Sequence, residues 1–436
     1  MSTNIVEGLW EMGNGKSFKN SYPLSHLPSP LKKPELLAPA GNFEKLQAAL
    51  IYGADAIYFG GKNFSLRAFG DNFTREEILK AVEFTHGLGK KIYAAVNIFA
   101  HNADFAALAD YLKFLARAGV DAVLISDLGV LSLAKELTDL KIHVSTQANV
   151  TNWRTAKFFH ELGAERIVLA RELTREEISD IKNNCKAEVE IFIHGAMCIS
   201  YSGRCWLSKF LTGRDANLGA CTHSCRWKYN LVEETRAGEY FPVGEDERGS
   251  YVMNSKDLCL LPCLDEVIQS GVASLKIEGR MKSVNYVASV VKVYRAAIDS
   301  YFDNPNDFKI RAEWTDELNK IAHRPYTTGF FMGDGKPTEI YGTSKPARAS
   351  EFLGIVREFD SATMTATIEQ RGKFELGERV EFFQPNRETF SQSITSMQDA
   401  DGQEIFSAPH AQQLVKIFVD KPVEIWSLMR SGNCGR

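Results

Sequence analysis

The sequence predicts an α/β fold, a (β/α)8 barrel of the TIM type carrying a cysteine-bearing insertion, followed by a small all-β barrel domain. Three observations predict it. From Pro34 to about Ser300 a short apolar strand and an amphipathic helix alternate eight times, and about 265 residues is the usual size of such a barrel. Gly-Ala or Gly-Val pairs (Gly53-Ala54, Gly119-Val120, Gly163-Ala164, Gly271-Val272) stand just before several strands, where a helix stops at Gly and the next strand begins. From Pro346 onward the pattern changes to short alternating runs such as Met364-Thr365-Ala366-Thr367-Ile368 and Val415-Lys416-Ile417-Phe418-Val419, broken by Gly377 and Asp401-Gly402.

Residues 1–33 are polar, punctuated by Pro23, Pro28 and Pro30, and read as an irregular arm. The barrel domain spans 34–300, with strands expected at Glu35–Ala38, Ala54–Phe59, Lys91–Val96, Ala122–Ile125, Ile142–Thr146, Arg166–Ala170, Val189–Ile193 and Ser274–Ile277. About 80 residues separate the last two, far beyond the ordinary two to six of such loops, so 195–273 is an insertion over the barrel mouth. A helix with Tyr286, Val287, Val290, Val291, Tyr294 and Ile298 at three-to-four spacing follows; 301–345 is a linker and helix, and 346–436 the β domain.

With 51 basic and 55 acidic side chains the net charge is -4, which announces no nucleic-acid binder yet leaves room for a local basic face. Met1 to Pro34 has no cationic start followed by an apolar core, and no stretch approaches the roughly 18 apolar residues of a membrane span. The expectation is a cytoplasmic protein without membrane contact, where thiols stay free or bind metal.

The barrel strands end in polar residues: Asn97, Ser126-Asp127, Gln147-Asn149, Arg171-Glu172, His194 and Glu278-Arg280. In a parallel barrel such ends converge on one mouth, although Asp and Ser also cap helices. Asn97, Gln147, His194 and Glu278 are the candidate catalytic residues.

Six of the eight cysteines fall in the insertion region, as Cys198-x6-Cys205-x15-Cys221-x3-Cys225-x33-Cys259-x3-Cys263. The two Cys-x3-Cys pairs suit a tetrahedral zinc. Against that, Pro262 reads as the first residue of a helix, which makes Cys263 a small buried residue. Cys198, Cys205, Cys221 and Cys259, with Cys225 in reserve, supply the four thiolates of an iron–sulfur cluster, and Arg204, Arg214, Arg226 and Lys228 would offset its charge. Spacing leaves cluster, zinc and free buried thiols open. His194 and Cys198 also resemble a Cys–His pair with Asn97 or Asn149 to orient it. No His-Glu-x-x-His and no Gly-x-Ser-x-Gly is present.

The segments Glu190-Ile191-Phe192-Ile193-His194-Gly195-Ala196-Met197-Cys198-Ile199-Ser200-Tyr201-Ser202-Gly203-Arg204-Cys205 and Ser274-Leu275-Lys276-Ile277-Glu278-Gly279-Arg280-Met281-Lys282-Ser283 closely resemble the signatures of peptidase family U-32, the collagenase-like group. Leu36-Leu37-Ala38-Pro39-Ala40-Gly41 and Tyr58-Phe59-Gly60-Gly61 fit its barrel start. Members with this two-domain length and a segment like Cys221-Thr222-His223-Ser224-Cys225-Arg226-Trp227 are similar in hydroxylating tRNA. The resemblance implies formation of 5-hydroxyuridine at the wobble position, dependent on prephenate and independent of O2. It also implies a 4Fe–4S cluster on Cys198, Cys205, Cys221 and Cys259, with Cys225 as alternative to Cys221. A dicarboxylate such as prephenate is best held by guanidinium forks, which points to Arg67, Arg171, Arg204 and Arg280, with Lys276 beside them. The expectation is therefore a tRNA-modifying enzyme whose β domain helps hold tRNA. Its rivals are a collagenase-like peptidase, with zinc in place of the cluster, and a non-catalytic RNA-binding protein with a structural metal.

Overall fold

The computed structural model describes residues 31–65, 72–198, 204–226, 230–231, 241–242, 256–333 and 350–432. Most of the expected arm, Arg67 and Cys434 lie outside the described residues.

Seven strands open the barrel: β1 (Glu35–Ala40), β2 (Ala56–Gly60), β3 (Lys91–Ala95), β4 (Ala122–Ile125), β5 (Lys141–Val144), β6 (Arg166–Val168) and β7 (Glu188–Ala196). The insertion contributes β8 (Asp257–Cys259), and β9 (Ser274–Ile277) completes the ring. All the barrel neighbours are parallel, and β9 closes it by pairing with β1 (Leu36 opposite Leu275) and with β7 (Leu275 opposite Ile191). The strands are almost wholly buried because they face a filled lumen on one side and a helical layer on the other. Their polar-ended, apolar-centred pattern reads so clearly in the sequence for that reason.

Several barrel helices start on a residue suited to the cap. Asn42 caps the helix Phe43–Ile51 by accepting from Lys45 N, and Thr74 and Thr174 form capping boxes with Glu77 and Glu177. Asp127, one of the expected mouth residues, caps the helix Leu128–Leu137 by accepting from Val130 N, so it does the capping work that the sequence left as an alternative.

The strand β8 is an addition to the barrel: it runs antiparallel to the far end of β7, with Cys259 opposite His194 and Asp257 opposite Ala196. The long helix Val284–Asp303 then packs outside the barrel, where Tyr286, Tyr294 and Val290 are buried.

The C-terminal region is an antiparallel seven-stranded sheet with its own core of Val356, Ile368, Phe382, Val415 and Met429. It is docked firmly against the barrel's helices. Arg430, fully buried, donates to Glu317 at 2.6 Å and to Ser289 at 2.7 Å, while Tyr52 donates to the carbonyls of Phe383 and Trp426 at 2.9 and 2.8 Å. Ile355, Phe383 and Leu428 join the barrel's own apolar cluster. No described helix is long and apolar enough to cross a membrane.

Candidate active site

The C-terminal ends of the barrel strands surround one pocket of about 480 Å³, its open mouth included. Asn97, Gln147, Arg171, Lys276, Glu278 and Arg280 all line it, together with Tyr58, Ser145, Thr146 and Phe192. Six residues singled out from the sequence therefore share one cavity. Asn97 donates to Ser145 Oγ at 3.2 Å and to Gln147 Oε1 at 3.1 Å, and Ser145 in turn bonds Gln147, which fixes one wall of amides and hydroxyls.

The opposite wall is cationic. Arg280 is buried and donates to Ser65 Oγ at 2.7 Å. Room for its guanidinium comes from Gly60: a Cβ there would stand 2.1 Å from Arg280 Nη1, which explains the glycine that ends β2. Arg171 lies over the Phe192 ring, 3.9 Å from its centre, and donates to the Ala196 carbonyl at 3.0 Å.

Lys276 forms the floor, with its ammonium 4.4 Å from the centre of the Tyr58 ring. It donates to Glu190 Oε1 at 2.8 Å, and Arg166 donates to the other oxygen at 3.1 Å. Arg166 also reaches Glu35 at 2.6 Å and Glu188 at 2.7 Å, and Tyr93 donates to Glu35 at 2.7 Å. Burial alone would raise the Glu190 carboxyl, but Lys276 and Arg166 prevail and hold it down at about 2. Burial pulls Lys276 below the usual lysine range, with Glu190 opposing. Glu190, Tyr58 and Phe192 were not singled out from the sequence. A lone acid at an inward position of the apolar run Val189-Glu190-Ile191-Phe192-Ile193 was the available signal.

His194 is not in this pocket, against the expectation that every strand end turns toward the mouth. Between β9 and β7 the register slips: Lys276 pairs with Phe192 but Ile277 pairs with His194, so β7 carries one extra residue. Such a bulge re-aims the side chains that follow it. His194 points outward under the long helix, 1% exposed, its ring centre 5.8, 5.6 and 5.3 Å from those of Tyr286, Tyr294 and Tyr326. Burial, with Lys282 and His323 adding to it, lowers it to about 3, and its Nε2 has no hydrogen-bond partner among the described residues. Gly195, inside β7 at φ 110, lets the Glu278 backbone approach; a Cβ there would meet the Glu278 carbonyl at 2.5 Å.

The cysteines divide between two surroundings. Cys198 follows β7 directly, and Cys205 and Cys221 flank a compact knuckle: Asn217 accepts from Cys205 N at 3.2 Å, and Ser208 accepts from Thr222 N at 3.1 Å. Cys225 lies in the short turn Ser224–Arg226. Arg204 is exposed on this knuckle, 5.8 Å above the Phe99 ring, and does not line the pocket. Cys259 instead sits beside His194, its thiol 3.8 Å from Tyr294 Oη, and burial pushes it up to about 11. Cys263 is buried behind Pro262, as its helix-start position predicts. Four thiols are the right donors for an iron–sulfur cluster; Cys198, Cys205 and Cys221 stand in the stretch that follows β7, whereas Cys259 ends β8. Among the described residues no three Cys, His, Asp or Glu side chains are gathered to hold a metal ion, and Cys259 lies against Tyr294.

Residues 41–340 match peptidase family U32, and residues 348–430 match the C-terminal domain of that family. The chain belongs to peptidase family U32. It is 44% identical over 403 residues to tRNA hydroxylation protein P1 of Bacillus subtilis (strain 168), covering 92% of this chain and 95% of that protein. To tRNA hydroxylation protein P of Escherichia coli (strain K12) it is 36% identical over 440 residues, covering 90% of this chain and 95% of the other. A collagenase of Porphyromonas gingivalis (strain ATCC BAA-308 / W83) is 30% identical over 375 residues, covering 83% of this chain and 89% of the other.

Proposed function

We propose that this U32 member is a tRNA-modifying enzyme that hydroxylates uridine at the wobble position to 5-hydroxyuridine, with prephenate as co-substrate and without O2. The single observation that carries the reading is the polar mouth pocket, with Arg171, Arg280 and Lys276 converging in a chain 44% identical along nearly its whole length to a tRNA hydroxylation protein. Two guanidinium groups of fixed orientation suit the carboxylates of a small diacid, since each fork can give a carboxylate two parallel hydrogen bonds. The wall of Asn97, Gln147 and Ser145 offers neutral donors and acceptors of the kind that hold a pyrimidine edge. Glu278, half-buried at the rim, is the carboxylate placed to take or give a proton.

A collagenase-like activity would need a nucleophile and a base at the same opening. His194 is buried on the outer face of β7, so it is not the base of such a pair.

A 4Fe–4S cluster held by Cys198, Cys205 and Cys221, with Cys259 or Cys225 as fourth ligand, belongs to the same reading. Its support is the concentration of thiols beside basic residues. For Cys259 to serve, metal binding must displace the proton of a thiol that burial holds at about 11. Iron and sulfide analysis after anaerobic purification checks this: loss of iron in Cys198→Ala and Cys205→Ala, with Cys185→Ala unaffected, is expected, and zinc in place of iron removes the cluster.

The reading as a whole is tested by mass spectrometry of tRNA nucleosides from a deletion strain. The 5-hydroxyuridine derivatives should vanish and return with the wild-type gene. An unchanged nucleoside profile would overturn it.

A further inference from the structure

The knuckle that follows Cys205 presents a face that neither the pocket nor the core uses. Its helix, Leu207–Thr212, is anchored from below by Ser208, buried, which donates to the Arg214 carbonyl at 2.8 Å and sits 3.0 Å from Thr222 Oγ1. Trp206, Lys209 and Phe210 stand at i, i+3 and i+4, so they share the opposite, outer face. Trp206 is 70% exposed and Phe210 85%. Lys209 lies 5.1 Å from the centre of the Trp206 ring, while Arg204 and Arg214 are exposed on either side of the helix.

Two bare aromatic rings on one short helix cost solvation and ask for an occupant. The charge around them selects it. From Cys198 to Arg226 the chain has Arg204, Lys209, Arg214 and Arg226 against a single acid, Asp215, although the whole protein is at -4. The exposed Phe406 of the C-terminal region, by contrast, stands among Asp399, Asp401 and Glu404. Lys209 pairs with Asp215 at 2.9 Å, which leaves Arg204 and Arg214 as the other exposed cations on the described part of the surface; a cationic surface with exposed aromatic rings suits stacked bases whose phosphates need neutralising, and unpaired bases offer such faces. The knuckle is also tied to the mouth, since Phe99 N, two residues beyond the pocket residue Asn97, donates to the Asn217 carbonyl at 3.4 Å.

We propose that Trp206 and Phe210, framed by Arg204, Lys209 and Arg214, form a stacking platform for the unpaired RNA nucleotides that flank the one entering the barrel mouth. The proposal rests on the reading of the substrate as tRNA and adds where and how its loop is gripped. The platform binds by stacking, so removing the rings weakens affinity without changing the number of phosphates contacted.

The test uses the full chain as the Trp206→Ala/Phe210→Ala double variant, titrated against an RNA hairpin with an unpaired loop and against a duplex of the same stem, over a range of salt. Hairpin affinity should fall about tenfold to a hundredfold, duplex affinity should hold, and the slope of log K against log salt should stay as in the wild type. Trp206→Phe/Phe210→Tyr, which keeps the rings, should restore binding, and Arg204→Ala should instead reduce the slope by about one. Equal loss for hairpin and duplex, or unaltered hairpin affinity, would overturn the platform. So would a shift from dimer to monomer in sedimentation, which would make a second copy the occupant. A wild-type protein that binds neither RNA removes the tRNA reading itself, whereas a wild type that binds while the double variant binds equally well removes the platform alone.

Discussion

The two faces of β7 carry the residues that look most chemical in the sequence, and they treat protons in opposite ways. Facing the lumen, Glu190 is held ionised at about 2 between Lys276 and Arg166. Facing the long helix, His194 and, opposite it on β8, Cys259 are both held neutral, the first lowered to about 3 and the second pushed up to about 11. Burial is nearly complete on both faces. What differs is company: paired cations on one side, tyrosines on the other. In a buried layer, charge survives only where its partner is also buried, so the inner face can present charged groups to a substrate while the outer face acts as packing.

The inner face should break hardest. Glu190→Gln leaves Lys276 and Arg166 without the carboxylate between them, and loss of one partner of a buried ion pair costs about 3 to 5 kcal/mol. Urea unfolding should show that loss, and Glu190→Gln/Lys276→Met should recover part of it. If the single variant is as stable as the wild type, the lumen network is solvated and the comparison fails.

A second break works through pH on the outer face. Histidine in the unfolded chain titrates near about 6.5, whereas His194 in the fold titrates at about 3. The unfolded chain binds more protons between those values, so the stability tied to neutral His194 is complete above about pH 6.5 and is lost as pH falls toward 3. At pH 5 the loss is about 2 kcal/mol. Glu190 acts in the same direction but only below its unfolded value of about 4.3, as pH falls toward 2. His194→Phe should therefore make the urea midpoint fall less between pH 6.5 and 3, leaving the share due to His143 and His323, which burial also lowers, and to Glu190. An unchanged profile would mean His194 is not the group that takes up the proton.

How far the sequence reaches follows the same division. Barrel strands are legible because each is local, apolar and bounded by turn residues, and Asn97, Gln147, Arg171, Glu278 and Arg280 follow from standing at strand ends. The aim of His194 is not legible. It depends on a bulge against β9, whose partner residue lies about 80 positions away, and no local alternation records a register set across that gap. Cys259 is illegible for the same reason: spacing counts thiols but does not say that β8 lays this one against Tyr294. Glu190, a single acid in an apolar strand, is legible by its local contrast alone.

The third break tests what the inner face is for. Arg280→Lys keeps the charge beside Ser65 and loses the planar fork, so the protein should stay folded and bind tRNA as before while 5-hydroxyuridine formation falls about tenfold, with recovery at high prephenate. Unaltered modification at limiting prephenate would show that Arg280 holds the wall and not the co-substrate.

The smallest effect sharpens the comparison most, because it asks whether the two faces communicate. Tyr294 donates to the Ile193 carbonyl at 2.9 Å, at the bulge that turns His194 outward. That carbonyl also accepts from Leu260 N at 2.9 Å, so Tyr294→Phe does not leave it bare. The variant loses the bond to Ile193 and the weaker contacts of the hydroxyl with His194 Nδ1 at 3.5 Å and Cys259 Sγ at 3.8 Å, which together cost about 1 to 2 kcal/mol. Phe192, one residue from that carbonyl, supports Arg171 in the pocket on the other side of the strand. If the bulge is held by the strand pairing of β7 with β8 and β9, Tyr294→Phe lowers the urea midpoint slightly and leaves tRNA modification untouched. If modification drops well beyond what the stability loss accounts for, the hydroxyl on the neutral face is setting the position of Arg171 on the charged one, and the two faces are a single site.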